Sequence, residues 1–182
     1  MFGRIQNIDN RVLDNISRIH KPELNKIMIT ASRAGNAGIV WWAICLPFLI
    51  NSNWRATGAN FVFGLAWAHL MGEIIIKHIV KRVRPCHTLD DDEQLIDRPR
   101  FYSFPSGHTT ASFAMVGVAL MRCKVITFMP ILMLAMLIAF SRIYLRVHYL
   151  TDVIAGMILG LTCGICSVLI FNTVVPMWFP MV

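Results

Sequence analysis

Five stretches of nearly unbroken apolar residues, at approximately 27–50, 56–76, 106–121, 125–145 and 149–171, divide this chain. Each is close to the length of about 17–25 residues that a helix needs to cross a bilayer. The third is the shortest and opens with Ser106, His108 and Thr109, so its first turn is expected at the interface or against a polar cavity. Ahead of the first stretch, Ile5, Ile8, Val12, Ile16 and Ile19 recur at helical spacing, with Arg4, Arg11 and Arg18 offset from them. That pattern predicts an amphipathic helix within residues 1–26, lying on a membrane surface, with docking on the bundle as the alternative. The expected fold is all-α: a polytopic transmembrane bundle of about five spans plus the N-terminal surface helix, forming one membrane-embedded domain over residues 1–182.

Composition agrees with the patterning. Of 182 residues, 56% are hydrophobic and only 15% charged, outside the usual soluble range. A formal charge of +7 would suit nucleic acid, but the basic residues flank apolar spans and no soluble domain is left to present a groove, so anionic lipid is the better partner. Cys45, Cys86, Cys123, Cys163 and Cys166 are odd in number and mostly intramembrane, which reads as packing and not as a disulfide framework. Cys163 and Cys166 have redox-motif spacing inside an apolar helix and lack partner ligands. The first residues lack a compact apolar core with a small-residue cleavage site, so the first span is expected to remain in the protein.

Short connections, 51–55 and 122–124, join the spans on one side, and the long polar segment 78–104 lies on the other. Counting spans puts the N-terminus, the 78–104 loop and the turn before His148 on one face, so three polar clusters distant in sequence should converge there. The acidic run Asp90-Asp91-Asp92-Glu93 lacks a glycine turn and reads as a solvated loop. Gly156, Gly160 and Gly164, every fourth residue, should let another helix approach closely. Pro176, Trp178, Phe179 and Pro180 have the composition of an interfacial anchor.

The clusters carry phosphoryl-transfer chemistry. His148 and Asp152 are four apart at a helix start, so the carboxylate can orient the imidazole and leave one ring nitrogen free to attack phosphorus. Pro105-Ser106-Gly107-His108 marks a helix start where free N–H groups suit an anion. His108 there can protonate a leaving oxygen and later activate water. Lys77, Arg84 and Arg142 supply cations for the equatorial oxygens. Positive-inside flanking competes as an explanation for the basic residues around position 80 and is preferred for Lys81 and Arg82. His69, Glu73 and Lys77 share one helical face, so Glu73 is expected to orient Lys77. One acid and one base predict a bell-shaped pH profile.

Lys77 with six residues before Arg84-Pro85, then Pro105-Ser106-Gly107-His108, then Ser141-Arg142 with five residues before His148 and three more before Asp152, resembles the complete three-part signature of the type 2 phosphatidic acid phosphatase superfamily. The resemblance covers residues 77 to 152. It implies His148 as the nucleophile forming a phosphohistidine, Asp152 as its orienting partner and His108 as general acid, with Lys77, Arg84, Ser106, Gly107 and Arg142 as the phosphate-binding shell. It implies no cofactor and no metal. The implied substrate is a lipid phosphate or pyrophosphate, first of all undecaprenyl pyrophosphate, with phosphatidylglycerophosphate, phosphatidic acid and lipid A phosphates as alternatives.

Vanadium haloperoxidases share the signature, but they are soluble as a rule and five apolar spans argue against that class. A lipid-binding protein without catalysis is disfavoured by the intact His108, His148 and Asp152. A positive-inside count of Arg4, Arg11, Arg18, Lys21 and Lys26 against Arg55, Arg122 and Lys124 would place the site in the cytoplasm. The resemblance implies a bacterial cytoplasmic membrane with an extracytoplasmic site. That face is the expectation adopted, because basic residues serving substrate or lipid are not topogenic. Oligomeric state is not legible.

Overall fold

The first apolar segment does not form one helix. In the computed structural model, which describes residues 2–88 and 94–178, it is split into α2 (Pro22–Ala34) and α3 (Ile39–Ile50), inclined by 57°. Between them Asn36–Gly38 form a single tight turn in which Ala37 and Gly38 take left-handed backbone angles, φ 49° and 69°. A left-handed pair ends an α-helical hydrogen-bond ladder, and glycine accepts that conformation without a side-chain clash. The single helix expected across 27–50 is therefore corrected to a bent pair.

Ahead of it, α1 (Phe2–Ser17) covers most of the predicted surface helix, and the remainder of 1–26 is a turn and the start of α2. Leu13 of α1 belongs to the core while Ile5 and Ile8 stay exposed, so the helix is docked on the bundle and keeps an apolar edge outward. After α3 come α4 (Arg55–His69), a π-helical stretch at Leu70–Ile76 and the short α5 (Lys77–Val80). The polar loop follows, then α6 (Gly107–Arg122), α7 (Val125–Tyr144) and α8 (Leu150–Trp178).

Among the described residues three helical units, at Arg55–Thr88, Val125–Tyr144 and Leu150–Val174, are long and apolar enough to cross a membrane, and the bent α2–α3 pair makes a fourth if it is taken as one span. At 16 residues α6 is shorter, and most of its residues are buried. Phe113, Met115, Val118 and Ala119 of this central helix meet Phe61, Leu65, Ile138 and Val168 in the main core. Outward, α7 presents Val125, Ile126, Met129, Met133, Met136, Leu137 and Phe140. An apolar stripe of that size suits lipid, not water. The molecule is an integral membrane helix bundle.

The predicted glycine row sets the closest approach in the bundle. A methyl group on Gly160 would lie 2.3 Å from the Thr110 carbonyl oxygen, and one on Gly164 2.2 Å from that of Ala114. Backbones of α6 and α8 thus touch, fixing the start of α6 against the start of α8. The acidic run at 90–93 and the terminal Phe179 and Pro180 lie outside the described residues.

Candidate active site

Three elements meet at the polar end of the bundle: the end of α4–α5, the loop leading into α6, and the turn between α7 and α8. The joint is tied by backbone. Ser106 N–H donates to the Asp152 carbonyl at 3.1 Å, and Ser103 N–H donates to that of Arg82 at 2.7 Å. The Phe104–Pro105 peptide between them is cis. Lys77, Arg84, Gly107, His108, Arg142 and His148 consequently line one cavity of about 540 Å³, whose opposite wall is apolar, with Trp42, Leu65, Ala66 and Ala111. A second, more polar cavity of about 670 Å³, lined by Ser32, Arg33, Asn36 and Gln94 among others, adjoins it through Pro99, His108 and Arg142.

His148 sits in the turn before α8, almost wholly buried. Arg84 donates from its Nη1 to His148 Nε2 at 2.8 Å and from Nε to the Phe101 carbonyl at 2.5 Å. A guanidinium can only donate, so Nε2 carries the lone pair and the ring proton is on Nδ1. Asp152 Oδ2 lies 3.6 Å from Nδ1, too far for a hydrogen bond. Ser103 fills the gap: its hydroxyl oxygen is 3.3 Å from Nδ1 and donates to Asp152 Oδ2 at 2.5 Å. The direct contact expected from the four-residue spacing is therefore a bridged one. Burial, with Arg84 and Arg142 nearby and against the opposing pull of Asp152, pushes the His148 imidazole down to about 3, so the ring is neutral at ordinary pH.

His108, in the first turn of α6, directs Nε2 at Asn36 Oδ1, 2.8 Å away in the bend between α2 and α3. Its ring lies so close over Gly35 that a methyl group there would be 2.7 Å from Cδ2. The bend thus serves the site. Arg142 Nη1 donates to Ser32 Oγ, also on α2, while Arg142 Nε is buried without a partner among the described residues. A buried unpaired donor is costly, and a bound anion would satisfy it.

Lys77 is 3% exposed and donates to Glu73 Oε1 at 2.5 Å, the pairing expected from their spacing. The π-helical stretch carries Glu73 onto the start of α6, where a methyl group on Gly107 would lie 1.8 Å from Oε1. A larger residue there would push the Glu73 carboxylate off Lys77. Ser106 is fully buried; its hydroxyl accepts from Thr109 and does not line the cavity. Asp152 likewise stands behind the cavity wall.

Arg82 corrects the reading given to it above. Its guanidinium is not a free flanking charge: it donates to Asp152 Oδ1 at 2.6 Å, Thr151 Oγ1 at 2.7 Å, Asp9 Oδ2 at 2.7 Å and Gln6 Oε1 at 2.9 Å. Lys81, beside it, ends α5 in a left-handed conformation and is exposed. Ser103, Asn36 and Arg82 are the site residues that sequence reasoning missed. Ser103 had one available signal, its place two residues before Pro105 in the loop already assigned to the site.

Lys77, Arg84 and Arg142 thus share one cavity with His108 and His148, a set of groups whose chemistry suits a phosphoryl anion. Comparison with known proteins identifies a family. The family model of the PAP2 superfamily matches residues 57–176. An undecaprenyl-diphosphatase of Sulfolobus acidocaldarius is 32% identical over 178 residues, 95% of this chain and 84% of that protein. Phosphatidylglycerophosphatase B of Bacillus subtilis is 28% identical over 171 residues, 86% of this chain and 80% of that protein. The crystal structure of Aquifex aeolicus LpxE superimposes with a TM-score of 0.76 at 25% identity, covering 88% of this chain and 94% of that one.

Proposed function

This chain belongs to the PAP2 superfamily of lipid phosphatases, and from that premise we propose that it hydrolyses a prenyl diphosphate, first of all undecaprenyl diphosphate to undecaprenyl phosphate, through a phosphohistidine on His148. The observation that carries the reading is the single cavity in which Lys77, Arg84, Arg142, His108 and His148 face an apolar wall. In this scheme the three cations hold the terminal phosphoryl oxygens. The lone pair of His148 Nε2 attacks phosphorus; the bond to the bridging oxygen breaks, and His108 gives that oxygen a proton as the lipid monophosphate leaves. Arg84, which donates to Nε2 in the free enzyme, turns to the phosphoryl group. Asp152, through Ser103, stabilises the positive charge left on the imidazole. Water, giving its proton to His108, then attacks the phosphohistidine, breaking the N–P bond and releasing inorganic phosphate. Of the two remaining phosphate-binding assignments, Gly107 enters this scheme through backbone at the start of α6, where an anion is favoured. The Ser106 N–H is already given to the Asp152 carbonyl and its hydroxyl accepts from Thr109, so Ser106 holds the joint behind the cavity.

The likeness to the undecaprenyl-diphosphatase over nearly the whole chain favours the diphosphate. Phosphatidylglycerophosphate is the second reading, favoured by the likeness to phosphatidylglycerophosphatase B. We place the site on the extracytoplasmic face of a bacterial cytoplasmic membrane; cysteine tagging at Ser17 but not Ser52 from outside intact cells supports that face, and the reverse refutes it. The functional test is phosphate release by detergent-purified protein in EDTA from undecaprenyl diphosphate, phosphatidylglycerophosphate and phosphatidic acid, beside His148→Ala. Release that survives EDTA and disappears in the variant is expected, with the diphosphate preferred. Release unaffected by the substitution would overturn the nucleophile.

A further inference from the structure

We propose that Asp9 and Arg82 are positioning residues for Asp152, so that the N-terminal helix α1, which lies outside residues 57–176 matched by the family, is a working part of the active site. The proposal rests on the phosphatase reading above. Asp9 is fully buried on a helix whose neighbouring residues Ile8 and Asn10 are exposed. Its Oδ1 accepts from Thr151 N–H at 3.0 Å, in the first turn of α8, and its Oδ2 accepts from Thr151 Oγ1 at 2.6 Å and from Arg82 Nη2 at 2.7 Å. Arg82 Nη1 takes Asp152 Oδ1 at 2.6 Å, and its guanidinium carbon lies 4.0 Å from the centre of the Tyr149 ring.

These contacts divide the Asp152 carboxylate. Oδ1 belongs to Arg82, leaving Oδ2 for Ser103 and for Tyr149 N–H at 2.9 Å. Asp9 and Asp152 share one cation. Without the Asp9 charge, Asp152 would be the one carboxylate left to Arg82, drawing the Asp152 charge away from the imidazole and freeing the start of α8 to shift. Arg82 reaches both carboxylates because a guanidinium presents several donors in a fixed fork, which an ammonium cannot.

Asp9→Asn in the full chain is the test, assayed on undecaprenyl diphosphate in detergent micelles with orthovanadate as a phosphate-like inhibitor. A fall in kcat of about tenfold or more is expected, with KM and vanadate inhibition within about twofold, because neither Asp9 nor Arg82 lines the cavity. In ¹⁵N-histidine-labelled protein, the Nδ1 resonance of His148, identified by its loss in His148→Gln, should move. If Asp9→Asn does not yield folded protein, Arg82→Lys decides the question, with the same kcat loss expected. A kcat within twofold of the parent, or kcat, KM and vanadate inhibition changing together with an unmoved resonance, overturns the proposal. Should the parent hydrolyse no lipid phosphate, the functional reading falls, and the His148 resonance still decides whether α1 positions the site.

Discussion

Replacing Ser103 by alanine should slow catalysis without weakening substrate binding. Among the described residues the hydroxyl is what links the ring to the carboxylate: 3.3 Å to His148 Nδ1 and 2.5 Å to Asp152 Oδ2, against 3.6 Å between the two end groups. Ser103 is fully buried, and the carboxylate can replace the bridge only by moving toward the ring. A hydrogen bond to a charged group is worth about 1.5–3 kcal/mol. In the proposed scheme the ring becomes positive only as phosphorus is attacked, so most of that energy is expressed in the transition state. At about 1.4 kcal/mol per tenfold, kcat should fall roughly 10- to 100-fold. KM should stay within about twofold, because Ser103 does not line the phosphate cavity. The assay is steady-state phosphate release in EDTA at saturating lipid, with a melting curve to establish that the variant is folded. A kcat within twofold of the parent would refute the bridge and mean that Asp152 acts on His148 directly or not at all.

Three further outcomes follow from the same geometry. Glu73→Gln removes the carboxylate that holds the buried Lys77 ammonium, so kcat should drop about tenfold and melting temperature by a few degrees; activity and stability both unchanged would refute the pairing. Gly160→Ala forces α6 and α8 apart, at a cost of about 1–3 kcal/mol, and should reduce activity and melting temperature, whereas Gly3→Ala, with nothing within 4 Å, should change neither. For His148, the unfolded chain binds a proton below its ordinary value of 6.5 and the folded chain not until about 3. Stability contributed by this group is therefore complete above pH 6.5 and lost as pH falls toward 3, at up to about 1.4 kcal/mol per unit. Melting temperatures from pH 7 to 4 should fall more steeply in the parent than in His148→Gln, and parallel curves would refute the depressed value.

Phosphatase chemistry was legible in the chain because its groups are held by short local spacings. Four residues bring Asp152, in the first turn of α8, near His148 in the turn before it, four place Glu73 beside Lys77, and Pro105-Ser106-Gly107-His108 has the make-up of a helix start. The glycine row was equally readable, since a repeat of four keeps every small residue on one face of α8. Arg82 was misread for the opposite reason. A basic residue at the end of a span has the same local signature whether it faces phospholipid or a buried carboxylate, and its partner Asp9 lies 73 positions away.

What the amino-acid order determined by itself was the membrane setting, the helical class and the family signature, all of which depend on composition and on spacings within short segments. Tertiary structure alone decided the break at Gly35–Gly38 that brings Asn36 under His108 and Ser32 under Arg142, the hydroxyl bridge from Ser103, and the docking of α1 through Asp9. Each of these joins side chains from segments tens of residues apart. Such contacts leave no periodic trace, because they are set by how α6 and α8 close on each other and by which buried charges must then find partners.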